Sequence, residues 1–211
     1  MMFYDRNEAA IRLAEKLIAY RGRNPLVLAI PRGAVPMAKI ITDKLGGSLD
    51  VVLVRKLRAP YSPELAIGSV DESGGIFIAE YAELAGADTD YIEYEKQIQM
   101  DIIRKRRLQY SPIRPPIDPN GRIVIVIDDG LATGATMISA LHSLRKKTPA
   151  KLICAVPVAP VETVKKVTEL ADEVVCLEAS SNFQSVGQYY VNFPQIEDDE
   201  VVSILQSTMT Q

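Results

Sequence analysis

The sequence predicts an α/β fold, a central parallel sheet with helices on both faces. Three observations carry the prediction. Short apolar runs rich in β-branched residues alternate along the chain with stretches of helical periodicity. The runs are continuous, as in LVLAI at 26–30 and IVIVI at 123–127, which is what strands buried on both faces require. The length of 211 residues suffices for one sizeable domain and not for two ordinary ones, so 1–211 reads as a single unit.

Taken in order, residues 7–20 (NEAAIRLAEKLIAY) place apolar side chains at helical spacing, with Asn7 as the cap. The strand at 26–30 is broken by PRGAVP, and a helix then runs to Leu45 and stops at Gly46-Gly47. Residues 50–55 (DVVLVR) read as a second buried strand. From Lys56 to Gly75 the chain is rich in Pro, Gly and charge, and reads as a loop carrying a β-hairpin that continues into GIFIAEY. Asp88 or Asp90 caps a long polar helix to about Tyr110, and SPIRPPIDPNG is a linker. Strands at 123–127, 151–157 and 173–177 then alternate with helices at 135–147 and 161–171, and a short helix follows from Asp198. Ligands on such sheets bind at the carboxyl ends of the strands, so the places to look follow Ile30, Arg55 and Ile127.

Bulk properties narrow the function. A net charge of −3 gives no global pull toward nucleic acid or membrane, so an anion has to be held by local charge and backbone dipoles. The start, MMFYDRNEAA, has no signal-peptide core and no apolar run reaches membrane-spanning length, so a cytoplasmic protein is expected. Cys154 and Cys176 sit in apolar runs and read as buried free thiols. One histidine and two cysteines exclude a His-rich or Cys-rich metal site.

The densest motif is IVIVIDDGLATGAT at 123–136. Asp128 and Asp129 follow the strand directly, and period two sends them to opposite sides, so they are not a close catalytic dyad. Gly130 and Gly134 let the chain turn with its N–H groups bare, Thr133 and Thr136 add hydroxyls, and a helix N-terminus adds partial positive charge. Carboxylates beside a phosphate cradle suit a sugar phosphate. The absence of Gly-Lys-Ser/Thr excludes a Walker loop, and the G-x-x-x-G spacing is not the dinucleotide fingerprint. At a second strand end, Arg32, Gly33 and Ala34 offer a cation and bare N–H groups to an anion. At a third, Arg55, Lys56 and Arg58 gather positive charge. The run Arg104 to Arg107 reads as the solvated face of a helix. His142 reads as a surface or interhelical residue.

The phrases IPRGAVPMA, RKLRAP…PELAIG and DDGLATGAT together resemble the type I phosphoribosyltransferases. The wording of the central motif is most similar to the adenine phosphoribosyltransferases and to members of the family with no assigned acceptor. The resemblance implies transfer of ribose-5-phosphate from phosphoribosyl pyrophosphate to a nitrogenous base, with release of pyrophosphate. It implies that Asp128 and Asp129 address the ribose hydroxyls, and that Leu131, Ala132, Thr133, Gly134, Ala135 and Thr136 bind the 5-phosphate. Arg32, Gly33, Ala34, Arg55 and Lys56 take the pyrophosphate. Mg²⁺ is held mainly by pyrophosphate and ribose oxygens, with few direct protein ligands and none singled out. A hairpin at 57–79 is expected to act as a lid, with 57–68 as its closing loop, and a small hood at 178–211 to hold the base. Ala132 stands where hypoxanthine-type enzymes carry an acid, so the general acid/base falls to the lid's Glu64, with Asp71 and Glu72 behind it. Phe183, Tyr189 and Tyr190 are the aromatic candidates for the acceptor pocket, with sealing of the sheet edge as their other reading. The expected partners are the donor and a small heterocycle, without membrane and without nucleic acid; a homodimer is left open. The alternative is a donor-sensing regulatory or nucleic-acid-binding protein on the same fold.

Overall fold

In the computed structural model, which describes residues 2–110 and 116–208 except the side chain of Glu64, the chain alternates helix and strand from the start. Helix α1 (Arg6–Lys16) begins at Asp5, whose extended backbone lets its carboxylate accept the Glu8 N–H. The cap is therefore Asp5 rather than Asn7, and the helix gives way to a 3₁₀ turn at 18–20. Strand β1 (Leu26–Ala29) leads into α2 (Ala34–Leu45), which closes on Gly46 in the left-handed region at φ 71°.

The apolar stretch predicted as one strand at 50–55 is two strands in two sheets. Strand β2 (Ser48–Val51) pairs in parallel with β1, the Val52 N–H closes that ladder on the Ala29 carbonyl, and the chain then leaves the sheet. Strand β3 (Val54–Ala59) pairs antiparallel with β4 (Ser62–Asp71), which pairs with β5 (Ile76–Ile78). Burial on both sides of the crossing keeps VVLV apolar throughout, which hides the break. Residues 57–68, expected as a closing loop, lie largely in paired β3 and β4 around a turn at Pro60 and Tyr61.

Helix α3 (Thr89–Tyr110) starts at Asp88, whose carboxylate accepts the Tyr91 N–H. Of the linker at 111–121, residues 111–115 lie outside the described residues. The chain continues through β6 (Ile123–Ile127), α4 (Ala135–Arg145), β7 (Lys151–Pro160), α5 (Val161–Thr168), β8 (Glu173–Ser180) and α6 (Asp198–Ser207).

The central sheet is five-stranded, all parallel, in the order β2-β1-β6-β7-β8. Its strands carry apolar side chains to both faces in period two. Val27, Ala29, Ile125, Ile127 and Ile153 face a core shared with α1 and α2. Leu28, Val124, Val126, Leu152 and Cys154 face a second core under α4 and α5. A sheet covered on both faces leaves its carboxyl edge as the open place. The 3-stranded antiparallel sheet stands over that edge, braced by α3 and α4. The segment before α1 also meets the segment after β8: a parallel bridge joins Phe3 to Tyr190, with the Phe3 N–H on the Tyr189 carbonyl at 2.7 Å. Among the described residues, no helix is long and apolar enough to cross a membrane.

Candidate active site

Two turns of similar build lie side by side at the carboxyl edge, because β1 and β6 are paired. After β1, the Ile30 N–H reaches the Ile127 carbonyl at 2.9 Å, the Pro31–Arg32 peptide bond is cis, and Gly33 caps α2. A Cβ on Gly33 would lie 1.9 Å from Asp129 Oδ2, so glycine is what lets the two turns approach.

After β6, the Asp129 N–H donates to Asp128 Oδ1 at 2.9 Å. The loop is then pinned from below. The Leu131 N–H bonds to the Val158 carbonyl, and Leu131 itself is buried in the core beneath α4. Thr163 donates its hydroxyl to the Ala132 carbonyl at 2.8 Å. Gly134 caps α4 at φ 74°, and a Cβ there would lie 2.6 Å from Thr163 Cγ2. The pinning leaves Ala132 and Thr133 exposed, with Ala135 and Thr136 half-buried in the first turn of α4. Leu131, expected in the cradle, is instead turned into the core with its N–H committed to Val158.

These turns form the floor of a cleft of about 580 Å³, onto which Asp128, Asp129, Arg32, Gly33 and Thr136 open. Its wall is the antiparallel sheet and α3, which contribute Arg55, Lys56, Arg58 and Arg106. The Arg55 Nε donates to Gln99 Oε1 at 2.5 Å, and the buried Gln99 is held by Glu95 at 2.8 Å. Burial, then the neighbouring Arg106 and Arg58, lower the Arg55 pKa. Like charges forced together around a cleft make a place for a polyanion. The expectation of a solvated run covers both Arg106 and Arg107. The structure corrects both. Arg107 bonds to Asp50 at 3.0 Å and to Glu72 at 2.8 Å and 2.9 Å, tying α3 to the edge of the central sheet.

The two acids differ in their surroundings. Burial, and secondly the Asp129 charge, raise the Asp128 pKa well above the ordinary carboxylate value. Asp129 is also raised by burial, against the opposing pull of Arg6, whose Nε and Nη2 reach Asp129 Oδ2 at 2.9 Å and 2.8 Å. Nothing in the sequence around Arg6 marked it; it is 8% exposed and lies 123 residues from its partner.

Glu64 lies in β4, and its side chain is outside the described residues. Asp71 accepts from Ser73, Gly75 and Ser143, which holds a turn, while Glu72 is committed to Arg107. His142 stacks on Phe77 at 4.1 Å. Phe183 stacks on Tyr189 at 5.7 Å, and Tyr190 donates its hydroxyl to the Asp129 carbonyl at 2.7 Å. None of these three aromatics lines the cleft. A second hollow, about 310 Å³, shares Arg32, Gly33 and Asp129 with it and is closed by Phe193, Pro194, Gln195 and Ile196. Arg32 reaches from the shared wall to Glu197 at 3.2 Å. Among the described residues, no group of three or more His, Cys, Asp or Glu side chains is placed to hold a metal ion.

Comparison with known proteins gives this geometry its family. The family described as the phosphoribosyl transferase domain matches residues 3–194. A Mycobacterium tuberculosis protein named "Putative phosphoribosyl transferase Rv0571c" is 38% identical over 208 residues, 97% of this chain and 46% of its own length. The chain thus spans about half the length of the curated relatives it matches. The crystal structure of TT1426 from Thermus thermophilus shares 42% identity at a TM-score of 0.89, over 98% of this chain and 99% of that one. AQ2163 from Aquifex aeolicus shares the fold at 14% identity and a TM-score of 0.52, over 86% of this chain and 78% of that one. With a family match over most of its length, and a parallel sheet carrying the site on its carboxyl edge, the chain belongs to the phosphoribosyl transferase domain family.

Proposed function

We propose that the chain transfers ribose-5-phosphate from phosphoribosyl pyrophosphate to a nitrogenous acceptor and releases pyrophosphate. The observation that supports this best is the meeting of two anion-binding turns, one with an acid pair, under a wall of cations in one cleft. The loop from Ala132 to Thr136 offers backbone N–H groups, hydroxyls and a helix N-terminus to the 5-phosphate. Asp128 and Asp129 accept the ribose hydroxyls. Arg32, Gly33, Ala34, Arg55 and Lys56 meet the pyrophosphate. The acceptor nitrogen forms its bond to the anomeric carbon while the bond from that carbon to the pyrophosphate oxygen breaks, and the electron pair leaves with the pyrophosphate. The chain contributes mainly by positioning both partners and meeting the departing charge.

Mg²⁺ fits this site as a companion of the substrate, since the carboxylates present do not make a cage of their own. When bound, it neutralises the charge of the pyrophosphate. Glu64, on the strand that overhangs the cleft, is the proposed group that exchanges a proton with the acceptor. The acceptor enters beside the ribose through the smaller hollow, over Phe193. Phe183, Tyr189 and Tyr190 support that side from behind. The β3–β4 hairpin is the proposed lid, excluding water during transfer. The commitment of Arg106 to the cleft and Arg107 to ion pairs favours this role over nucleic-acid binding.

The test is pyrophosphate release from the Mg²⁺-loaded donor with a panel of purines, pyrimidines and related heterocycles. Release with one of them is expected. Donor binding without release across the panel would favour a sensing role.

A further inference from the structure

Asp129 is held from one side by the first turn of α1 and by the segment at 190–194. Arg6, in the first turn of α1, donates twice to Asp129 Oδ2 and once, from Nη1, to the Pro194 carbonyl at 2.6 Å. Its guanidinium lies 3.8 Å over the centre of the Phe193 ring. Phe193 stacks on Tyr190 at 4.6 Å, and Tyr190 donates its hydroxyl to the backbone carbonyl of Asp129 itself. The Asn192 N–H returns to the Tyr4 carbonyl at 2.8 Å. The result is a closed frame: carboxylate, guanidinium, aromatic ring, phenol, and back to the same residue.

We propose that Arg6 is a positioning residue that fixes Asp129 for the ribose and fastens the segment at 190–196 to it. The inference rests on the donor-binding reading above. A planar guanidinium with its donors directed at two acceptors and its face on a ring has one orientation, which a lysine ammonium cannot reproduce. By taking Oδ2, Arg6 leaves Oδ1 as the oxygen through which Asp129 meets a ligand in the cleft. The same cation braces Phe193 and Pro194, which line the smaller hollow. Donor carboxylate and acceptor side therefore share one support, and loosening it affects both. A residue that only stabilised the fold would act on folding and leave the affinity of the folded protein alone.

A double-mutant cycle separates these cases. Affinity for Mg²⁺-loaded phosphoribosyl pyrophosphate is measured by calorimetry, and by thermal shift where binding is weak. Arg6→Gln is expected to weaken it about 10- to 100-fold, the usual worth of hydrogen bonds to a charged group. Arg6→Lys is expected to recover part of the loss. On an Asp129→Asn background, Arg6→Gln is expected to add less than about 3-fold, because the two share one route. Should Arg6→Gln fail to fold, Phe193→Leu takes its place in the cycle: it removes the platform, keeps every charge, and is expected to weaken donor binding only where Asp129 is present. Losses that multiply on the Asp129→Asn background, or an unchanged donor affinity in folded Arg6→Gln, overturn the proposal and leave the donor site standing. Absence of donor binding by the wild type overturns the donor reading and this inference with it.

Discussion

The floor and the wall of the cleft are built by different means. The floor comes from β1 and β6, neighbours in the parallel sheet, and its groups are close in sequence: Arg32 and Gly33 in one turn, Asp128, Asp129 and Thr136 in the other. It is rigid by construction, with the loop pinned by Thr163 and by the Leu131–Val158 bond, and the turns in contact at Gly33. The wall comes from an antiparallel sheet leaning on α3, and its cations converge from sequence positions as far apart as Arg55 and Arg106. The difference teaches a division of labour, on the reading proposed above: the floor would hold the sugar phosphate through turns fixed by the sheet, and the wall would meet the leaving charge with cations gathered from separate elements.

Substitutions can break that division or sharpen it. The largest effect is expected in the wall. Glu64→Gln should lower kcat by about 10²- to 10⁴-fold, the range for loss of a general acid/base, with donor affinity unchanged in calorimetry. A matching loss of donor affinity would place Glu64 in binding instead. On the floor, Gly33→Ala puts a methyl group against Asp129 Oδ2 and should weaken donor binding about 100-fold, as misplacement of a positioned group does. Full affinity in that variant would mean the two turns are less tightly fitted than the structure indicates. Returning to the wall, Arg106→Ala should cost about 10-fold in pyrophosphate affinity, measured by product inhibition, since it loses one charge-assisted contact.

The smallest effect concerns stability and carries a sign. Burial and Asp129 raise the Asp128 pKa above its ordinary value. A carboxylate raised by folding contributes most below its unfolded-state pKa, and that contribution is lost as pH rises through the folded-state value. Asp128→Asn cannot ionise and still accepts the Asp129 N–H. It should therefore raise Tm at about pH 8, with the gain fading toward about pH 4. The donor affinity of this variant should fall. A variant no more stable than wild type at alkaline pH would show that Asp128 is well solvated.

The same contrast decides how much could be read from sequence. Strands buried on both faces announce themselves as apolar runs, and the groups at their carboxyl ends follow within a few residues, so the floor was legible down to Asp128, Asp129 and Thr136. The break between β2 and β3 was not, because Val52 and Leu53 stay buried as the chain passes from one sheet to the other. Arg106 and Arg107 sit in a run whose composition is that of a solvated helix, and only the docking of α3 gives them partners. Arg6 is ordinary in a first turn. Its role depends on Asp129, Phe193 and Pro194, which the sequence places far away. The aromatics at 183–190 were visible as a cluster, but stacking and support look the same in one dimension.

The central claim is that the carboxyl ends of β1 and β6 form one site for a ribose phosphate bearing pyrophosphate. Calorimetric titration of Mg²⁺-loaded phosphoribosyl pyrophosphate into the wild type and into Asp129→Asn paired with Thr133→Ala tests it most directly. Saturable binding by the wild type and its loss in the double variant are predicted. No binding by the wild type, or equal affinity in both proteins, would contradict it.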